Sequence, residues 1–236
     1  MFYEFCVIIL LIMPRGPRVD VGDYVYHVIN RAAGRRTIFP DSGAYRSFED
    51  LLIEGQKTWE MPMLAYVIMP NHWHMLVYPR KDGDMGKYFH WLTTTHACRL
   101  RAFRNTIGEG PVYQGRYKSF LVDTDAYVLT ALKYIECNPV RAGLVETPEE
   151  WKWGSAHRRI FGTEQERALL APPPVPLPDS YRVWINAGES EEALRQIRGS
   201  VSKGIPFGDD VWRDRMITKF VLKHTTRPAG RPKIIK

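Results

Sequence analysis

The segment "MLAYVIMPNHWHMLVY" (residues 63–78) consists of two apolar runs separated by Pro70-Asn71. Short apolar runs rich in β-branched and aromatic residues are typical of strands, and the short connection predicts an antiparallel hairpin. Because successive side chains of a strand alternate between its faces, His72 and His74 would project together and Trp73 would point the other way. The sequence therefore predicts a hairpin with a histidine pair on one face and a tryptophan in the core.

The segments around this hairpin complete a mixed fold. "DYVYHVINRA" (23–32) and "RYKSFLV" (116–122) predict two more strands. Apolar spacing and capping residues predict helices over 44–59, 85–105 and 125–138. The order strand, helix, hairpin, helix, strand, helix predicts an α+β fold, in which a small antiparallel sheet carries helices on one face.

The composition is that of a soluble globular protein with a basic bias. The chain has 236 residues, 44% hydrophobic and 25% charged, and a formal net charge of +7. This length allows one good-sized core and a small appended unit. The charge favours an acidic partner such as nucleic acid, although a basic protein without such a partner has the same composition.

The cysteines and the N-terminal segment indicate the cellular compartment. Cys6, Cys98 and Cys137 are widely spaced and form no CxxC pair, which argues against a disulfide framework or a zinc finger. We therefore expect a reducing, cytoplasmic setting. The apolar run from residue 5 to 13 is too short to span a bilayer, so no membrane partner is expected. Residues 1–12 are interpreted as a dispensable extension, or alternatively as a short strand or helix.

The last third of the chain predicts a separate, basic unit. "APPPVPLP" (171–178) is typical of an extended linker, and helices are predicted over 189–201 and 209–222. These helices would form either a helix-turn-helix-like unit or a hairpin packed on the preceding domain. The tail "RPAGRPK" is expected to contact DNA through Arg227, Arg231 and Lys233, either as a flexible basic segment or with Arg231 in an A·T-rich minor groove.

The histidine pair is a candidate metal site. Two imidazoles side by side on a sheet can share one divalent cation, although two exposed strand histidines would have the same pattern. In the helix over 125–138, Tyr134 and Asn138 are spaced i and i+4 and share a face. Asn138 could ligate through its amide oxygen while Tyr134 acts as nucleophile. Alternatively, Tyr134 is a buried aromatic residue and Asn138 a helix cap.

Four motifs carry a resemblance to a known family. "YHVINRA", "YVIMPNHWHMLVYP", "VYQGRYKSFLV" and "YIECNPVRAGLV" resemble, in this order, segments of REP-associated tyrosine transposases. These belong to the HUH single-strand transposases, named for histidine, bulky hydrophobic residue, histidine. The resemblance covers residues 13–160 and implies a ferredoxin-like catalytic domain there. A Pro-rich linker (161–184) and a helical extension with a basic tail (185–236) would follow.

The resemblance also implies a chemistry. His72 and His74 would hold Mg²⁺ or Mn²⁺, Asn138 would stand at the position of a polar third ligand, and Tyr134 would be the nucleophile. The reaction would cleave and rejoin single-stranded DNA, at hairpin or repeat sequences, through a 5′-phosphotyrosine intermediate. Arg116, Lys118 and Arg141 flank these motifs and could hold phosphates, or could be solvated surface charges.

Other functions remain open at this stage. The chain could be a non-catalytic DNA-binding protein that recognises repetitive or hairpin DNA. It could also be a metal-dependent phosphodiesterase that uses water. The active form could be a monomer, or a homodimer in which Tyr134 serves the neighbouring subunit.

Overall fold

Four antiparallel strands form a single sheet in the order β2-β3-β1-β4. The computed structural model of the chain describes residues 18–124 and 126–226. The expectations for residues 1–12 and for Arg227, Arg231 and Lys233 lie outside these ranges. The strands are β1 (Val25–Arg31), β2 (Met63–Met69), β3 (His72–Val77) and β4 (Lys118–Val122).

Nine α-helices lie within the described ranges. Four of them begin at side-chain caps; for example, Asp41 accepts a hydrogen bond from the backbone of Ala44 and Ser190 accepts one from that of Ala193. None of the helices in these ranges is long and apolar enough to cross a membrane. The helices are α1 (Ser42–Trp59), α2 (Asp84–Phe103), α3 (Ala126–Glu136), α4 (Asn138–Arg141), α5 (Ser155–Phe161), α6 (Glu164–Arg167), α7 (Tyr181–Asn186), α8 (Glu191–Lys203) and α9 (Asp210–Lys219).

The strand register aligns residues from separate motifs. Ile29 of β1 lies between His74 of β3 and Lys118 of β4. Two residues further along β1, on the same face, Arg31 lies opposite His72. Directly paired residues project from the same face of a sheet. Two rows of side chains that include polar groups therefore cross the sheet side by side.

The first face of the sheet carries the larger core. Trp73 is fully buried there and stacks on Phe89 of α2 with ring centroids 5.6 Å apart. Phe48 of α1 lies 6.2 Å from the same tryptophan ring. This confirms the prediction that Trp73 points into the helix-covered core.

The second face is also covered, which differs from the expected placement of all helices on one side. Leu132 and Ile135 of α3 and Leu194 and Ile197 of α8 pack there in a second buried cluster. Most strand residues on this side are apolar, so that leaving them open would expose hydrophobic surface to water. The predicted α+β class with an antiparallel sheet is confirmed, and the sheet is a central layer.

The C-terminal helices pack on the sheet rather than standing apart. Phe207, between α8 and α9, donates a backbone hydrogen bond to Leu121 of β4 and accepts one from Asp123. Met216 and Ile217 of α9 join the first core cluster. Of the two predicted arrangements, the structure shows the packed one. The division into segments 13–160, 161–184 and 185–236 stays a prediction.

His96 of α2 is a buried titratable group in the first core. Its Nδ1 atom lies 2.6 Å from the hydroxyl of Tyr113, and its ring stacks on Phe39 with centroids 5.3 Å apart. Burial, aided by the nearby Arg104, lowers the pKa of His96 to about 3. In the unfolded chain the same imidazole has its ordinary pKa of 6.5. Below pH 6.5 the unfolded state therefore binds a proton at His96 that the folded state does not bind.

This difference predicts a measurable acid sensitivity. The unfolding free energy should fall as the pH drops from 6.5 toward 4, and His96 should contribute about 1.4 kcal/mol per pH unit. In His96→Gln the slope should be shallower by that amount, measured by urea unfolding at several pH values. His90→Gln, at an exposed position of the same helix, is the matched control. Equal slopes in wild type and His96→Gln would contradict the assignment.

Candidate active site

The histidine pair lies on the second face of the sheet. The rings of His72 and His74 are 5.2 Å apart between centroids, at an interplanar angle of 72°. Burial lowers the pKa of His72 to about 4 and the pKa of His74 well below its ordinary value. Both rings are therefore uncharged at neutral pH, so that each has one nitrogen lone pair for a ligand.

Asn71 fixes the tautomer of His72. The Nδ2 atom of Asn71 donates to the carbonyl of Arg35 at 3.1 Å, so its oxygen must face the other way. That oxygen lies 2.6 Å from Nδ1 of His72. An amide oxygen only accepts, so the imidazole proton is on Nδ1 and the lone pair is on Nε2. The sequence pattern indicates only a turn at Asn71 and gives no sign of this role.

His27 of β1 holds the second histidine. Its Nε2 atom lies 2.7 Å from Nδ1 of His74, and both rings are buried. One of these two nitrogens donates to the other, so two tautomeric patterns are possible. Only the pattern in which His74 donates leaves Nε2 of His74 free for a cation. In that pattern Nδ1 of His27 carries a proton, and this buried atom has no hydrogen-bond partner among the described residues.

The structure brings Tyr134 to the same place. Its ring, carried by α3, lies 6.3 Å from the ring of His74 and 6.1 Å from that of His27. The side chain is 7% exposed. Burial raises the pKa of Tyr134, an effect that the guanidinium groups of Arg141 and Arg198 partly offset. The phenol therefore keeps its proton more firmly than a free tyrosine does.

Asn138 and Arg141 are the first and last residues of α4, which follows α3 after Cys137. The amide nitrogen of Asn138 donates to the carbonyls of Tyr134 and Ile135, so the side chain caps the helix as one of the two interpretations held. Its amide oxygen takes no part in these bonds. Arg141 stacks over the Tyr134 ring at 4.2 Å and forms an ion pair of 2.5 Å with Glu189. Arg141 is thus neutralised by a carboxylate as well as placed beside the phenol.

Arg116 and Lys118 lie on the open edge of β4. Both are exposed, and Lys118 projects from the same face as His74 through its pairing with Ile29. They line a cavity of about 380 Å³ that is also bordered by Lys203 and His224 of the C-terminal segment. This cleft is rich in cationic groups, as a binding site for a sugar-phosphate chain would require.

A buried carboxylate anchors the helix that carries Tyr134. Glu136 accepts hydrogen bonds from the hydroxyls of Ser155 and Tyr181, each at 2.5 Å. It also forms an ion pair of 3.2 Å with Arg159, whose side chain is 13% exposed. These bonds tie α3 to α5 and α7, so the position of Tyr134 is set by three helices.

A metal ion would find two good ligands on this face. Nε2 of His72, and Nε2 of His74 in the appropriate tautomer, point away from the hydrogen bonds that hold the rings. Within the described ranges, however, no group of three His, Cys, Asp or Glu side chains could hold a metal ion. The amide oxygen of Asn138, which takes no part in the helix-capping bonds, is a candidate for a third protein ligand. This donor set fits a cation that keeps several waters, as Mg²⁺ does.

Comparisons with known proteins agree with the resemblance. The family model described as transposase IS200-like matches residues 20–138, about half of the chain. A candidate REP-associated tyrosine transposase of Haemophilus influenzae is 30% identical over 105 residues, which cover 41% of this chain and 60% of that protein. A REP-associated tyrosine transposase of Escherichia coli is 23% identical over 119 residues, covering 49% of this chain and 67% of that protein.

A solved structure shares the fold. It is described as a REP-associated tyrosine transposase bound to a REP hairpin, and it superimposes with a TM-score of 0.55. The match covers 75% of this chain and 93% of the other at 16% sequence identity. The similarity of the folds extends beyond the residues that the family model matches, into the C-terminal part of the chain.

The anchoring of α3 predicts the effect of removing its carboxylate. Glu136→Ala leaves the guanidinium of Arg159 without its acidic partner in a largely buried position. The free energy of unfolding should fall by about 3–5 kcal/mol, as measured by urea denaturation. Glu192→Ala removes an exposed partner of Arg195 and should leave the free energy of unfolding nearly unchanged. Similar losses in the two variants would show that Glu136 is not an anchor.

Proposed function

The chain belongs to the IS200-like transposase family, and on that premise we propose that it cleaves and rejoins single-stranded DNA through Tyr134. The observation that supports this most is the packing of the Tyr134 ring against His74, 6.3 Å between centroids. A candidate nucleophile and a candidate metal ligand thus meet on one sheet face. The proposed substrate is hairpin or repeat DNA, because the similar solved protein is described as bound to a REP hairpin.

The proposed step is a transesterification. The phenolic oxygen of Tyr134 attacks phosphorus, the bond from phosphorus to the 3′ oxygen breaks, and the phenolic proton ends on that oxygen. The products are a 5′-phosphotyrosine and a free 3′-hydroxyl, which can reverse the step or join another strand. Since burial raises the pKa of Tyr134, the DNA-free protein holds the nucleophile in its protonated, less reactive form.

We propose Mg²⁺ or Mn²⁺ as the cofactor, held by Nε2 of His72 and of His74, with Asn138 as a candidate third ligand. When bound, the cation supplies Lewis-acid polarisation of a phosphate oxygen and orients the scissile bond. The hydrogen bonds that the two imidazoles donate to Asn71 and His27 would orient them for this task. The closeness of the two rings on one face supports this assignment.

The DNA strand is proposed to cross the open edge of the sheet. Arg116 and Lys118 would contact its phosphates in the cationic cleft, and Arg141 would do so beside Tyr134. Contacts from Arg227, Arg231 and Lys233 in the tail remain part of the proposal. A monomer suffices for this arrangement, since Tyr134 packs against His74 of its own chain. The proposed setting is cytoplasmic.

A second candidate function is non-catalytic recognition of hairpin or repetitive DNA. The observation in its favour is that no three His, Cys, Asp or Glu side chains of the described residues form a metal cluster. Water-dependent phosphodiester cleavage is a third outcome that the same experiment separates.

Covalent capture tests the proposal directly. The wild-type chain is incubated with Mn²⁺ and an end-labelled oligonucleotide that bears a hairpin with single-stranded flanks. We expect an adduct that survives denaturing electrophoresis and whose mapped peptide contains Tyr134, and no adduct in Tyr134→Phe. The control is Tyr127→Phe, at a partly buried position of the same helix away from the histidine pair, which should form the adduct as the wild type does.

Two results would contradict the proposal. Binding without cleavage in the wild type would favour the non-catalytic candidate. Cleavage that persists in Tyr134→Phe would favour attack by water.

The hydrogen bond that fixes the tautomer of His72 predicts a graded effect on metal binding. Asn71→Ala removes the acceptor from Nδ1 of His72 and should weaken Mn²⁺ binding about tenfold or more. Asn71→Asp keeps an acceptor and should bind at least as tightly as the wild type. Isothermal titration of the DNA-free protein with Mn²⁺ measures both, with His90→Ala as the control. Equal dissociation constants for wild type and Asn71→Ala would contradict the role of Asn71.

A further inference from the structure

Arg31, the last residue of β1, is a cation on the active-site face that has no assigned role. It lies directly opposite His72 in the β1–β3 register and therefore projects from the face that carries the histidine pair. Its electrostatic influence reaches His72, His74 and Tyr134, whose pKa values its positive charge lowers. A single guanidinium thus lies close to both candidate ligands and to the candidate nucleophile.

Arg31 also has no acidic partner within the described ranges. Its Nε atom is buried and makes no hydrogen bond there. Three other largely buried arginines of the molecule behave differently, because each is paired with a carboxylate. These pairs are Arg141 with Glu189, Arg158 with Glu49 and Arg159 with Glu136.

An unpaired, partly buried guanidinium is costly, because it loses water contacts without gaining a partner. Such a group persists in a fold when a ligand supplies the missing acceptor. An anion best balances the charge of such a group, and the planar fork of a guanidinium matches two oxygens of one phosphate. The neighbouring histidines and tyrosine place that anion at the centre of the candidate site.

We propose that Arg31 is a catalytic residue that binds the non-bridging oxygens of the phosphodiester under attack by Tyr134. This inference rests on the proposed function, since it assigns the scissile phosphate to that site. Bound there, Arg31 would offset the negative charge that grows on those oxygens as the phenolic oxygen approaches phosphorus.

Variants at this position separate binding from structure. Arg31→Gln keeps length and polarity without the charge, and Arg31→Lys keeps the charge without the planar fork. We expect adduct formation on the hairpin oligonucleotide to slow by about 10²–10³-fold in Arg31→Gln and by about tenfold in Arg31→Lys. The control Arg195→Gln alters an exposed arginine of α8 and should match the wild type.

Two further measurements give readouts that a structural role would not produce. The urea midpoint of Arg31→Gln should equal or exceed that of the wild type, because the substitution leaves no buried carboxylate without its partner. The affinity for the same oligonucleotide is measured in EDTA at several salt concentrations, in chains that also carry Tyr134→Phe. The slope of log affinity against log salt should become shallower by about 0.7 when Arg31 is replaced by Gln.

The outcomes distinguish this inference from the proposed function. If the wild type forms the adduct and Arg31→Gln forms it at a similar rate, the role of Arg31 is overturned and the proposed function stands. If the wild type forms no adduct, the proposed chemistry fails, and the salt slope alone decides whether Arg31 binds phosphate. An unchanged slope, or a clearly lower urea midpoint in Arg31→Gln, overturns the inference.

Discussion

The antiparallel pairing of β1 with β3 holds the candidate site together. It sets Arg31 against His72 and Ile29 against His74, and it brings His27 within 2.7 Å of His74. A slip of one residue would turn every side chain of a strand to the opposite face. Trp73 prevents such a slip, because exposing this buried ring would cost on the order of 5 kcal/mol of hydrophobic free energy. The packing of Trp73 on the first face thus fixes the positions of the polar side chains on the second face.

The site is costly to the fold, and other contacts offset that cost. Neutral buried imidazoles and an unpaired guanidinium lower stability, as groups kept for function commonly do. Around them, buried ion pairs and hydrogen bonds fix the helix that carries Tyr134. Lys133 donates to the carbonyl of Trp184 at 2.7 Å, next to the anchor at Glu136. A helix held in this way would keep the proposed nucleophile in position before DNA binds, which would reduce the entropic part of the barrier.

The sequence predicted the parts of the structure that depend on local pattern. Alternation within one strand was enough to place His72 and His74 together and Trp73 in the core, and turn residues located the hairpin. The cover on the second face was missed, because it depends on helices far along the chain. His27 and Arg31 were missed for a similar reason, since their places beside the histidine pair follow from contacts between strands. Asn71 was missed because the direction of its amide group is set by the carbonyl of Arg35, far away in the sequence. The spacing of His27 and Arg31, four residues apart and therefore on one face of β1, was the available indication.

In the proposed complex with DNA, His72 and His74 (through the metal) and Arg31 converge on one phosphate within reach of residue 134. The most direct measurement is a crystal structure of Tyr134→Phe with Mn²⁺ and a hairpin oligonucleotide, in which anomalous scattering locates the metal. We predict manganese bound to Nε2 of both histidines, and one backbone phosphate in contact with the metal and with the Arg31 guanidinium. Manganese bound elsewhere, or a DNA path that leaves this sheet face empty, would contradict the account.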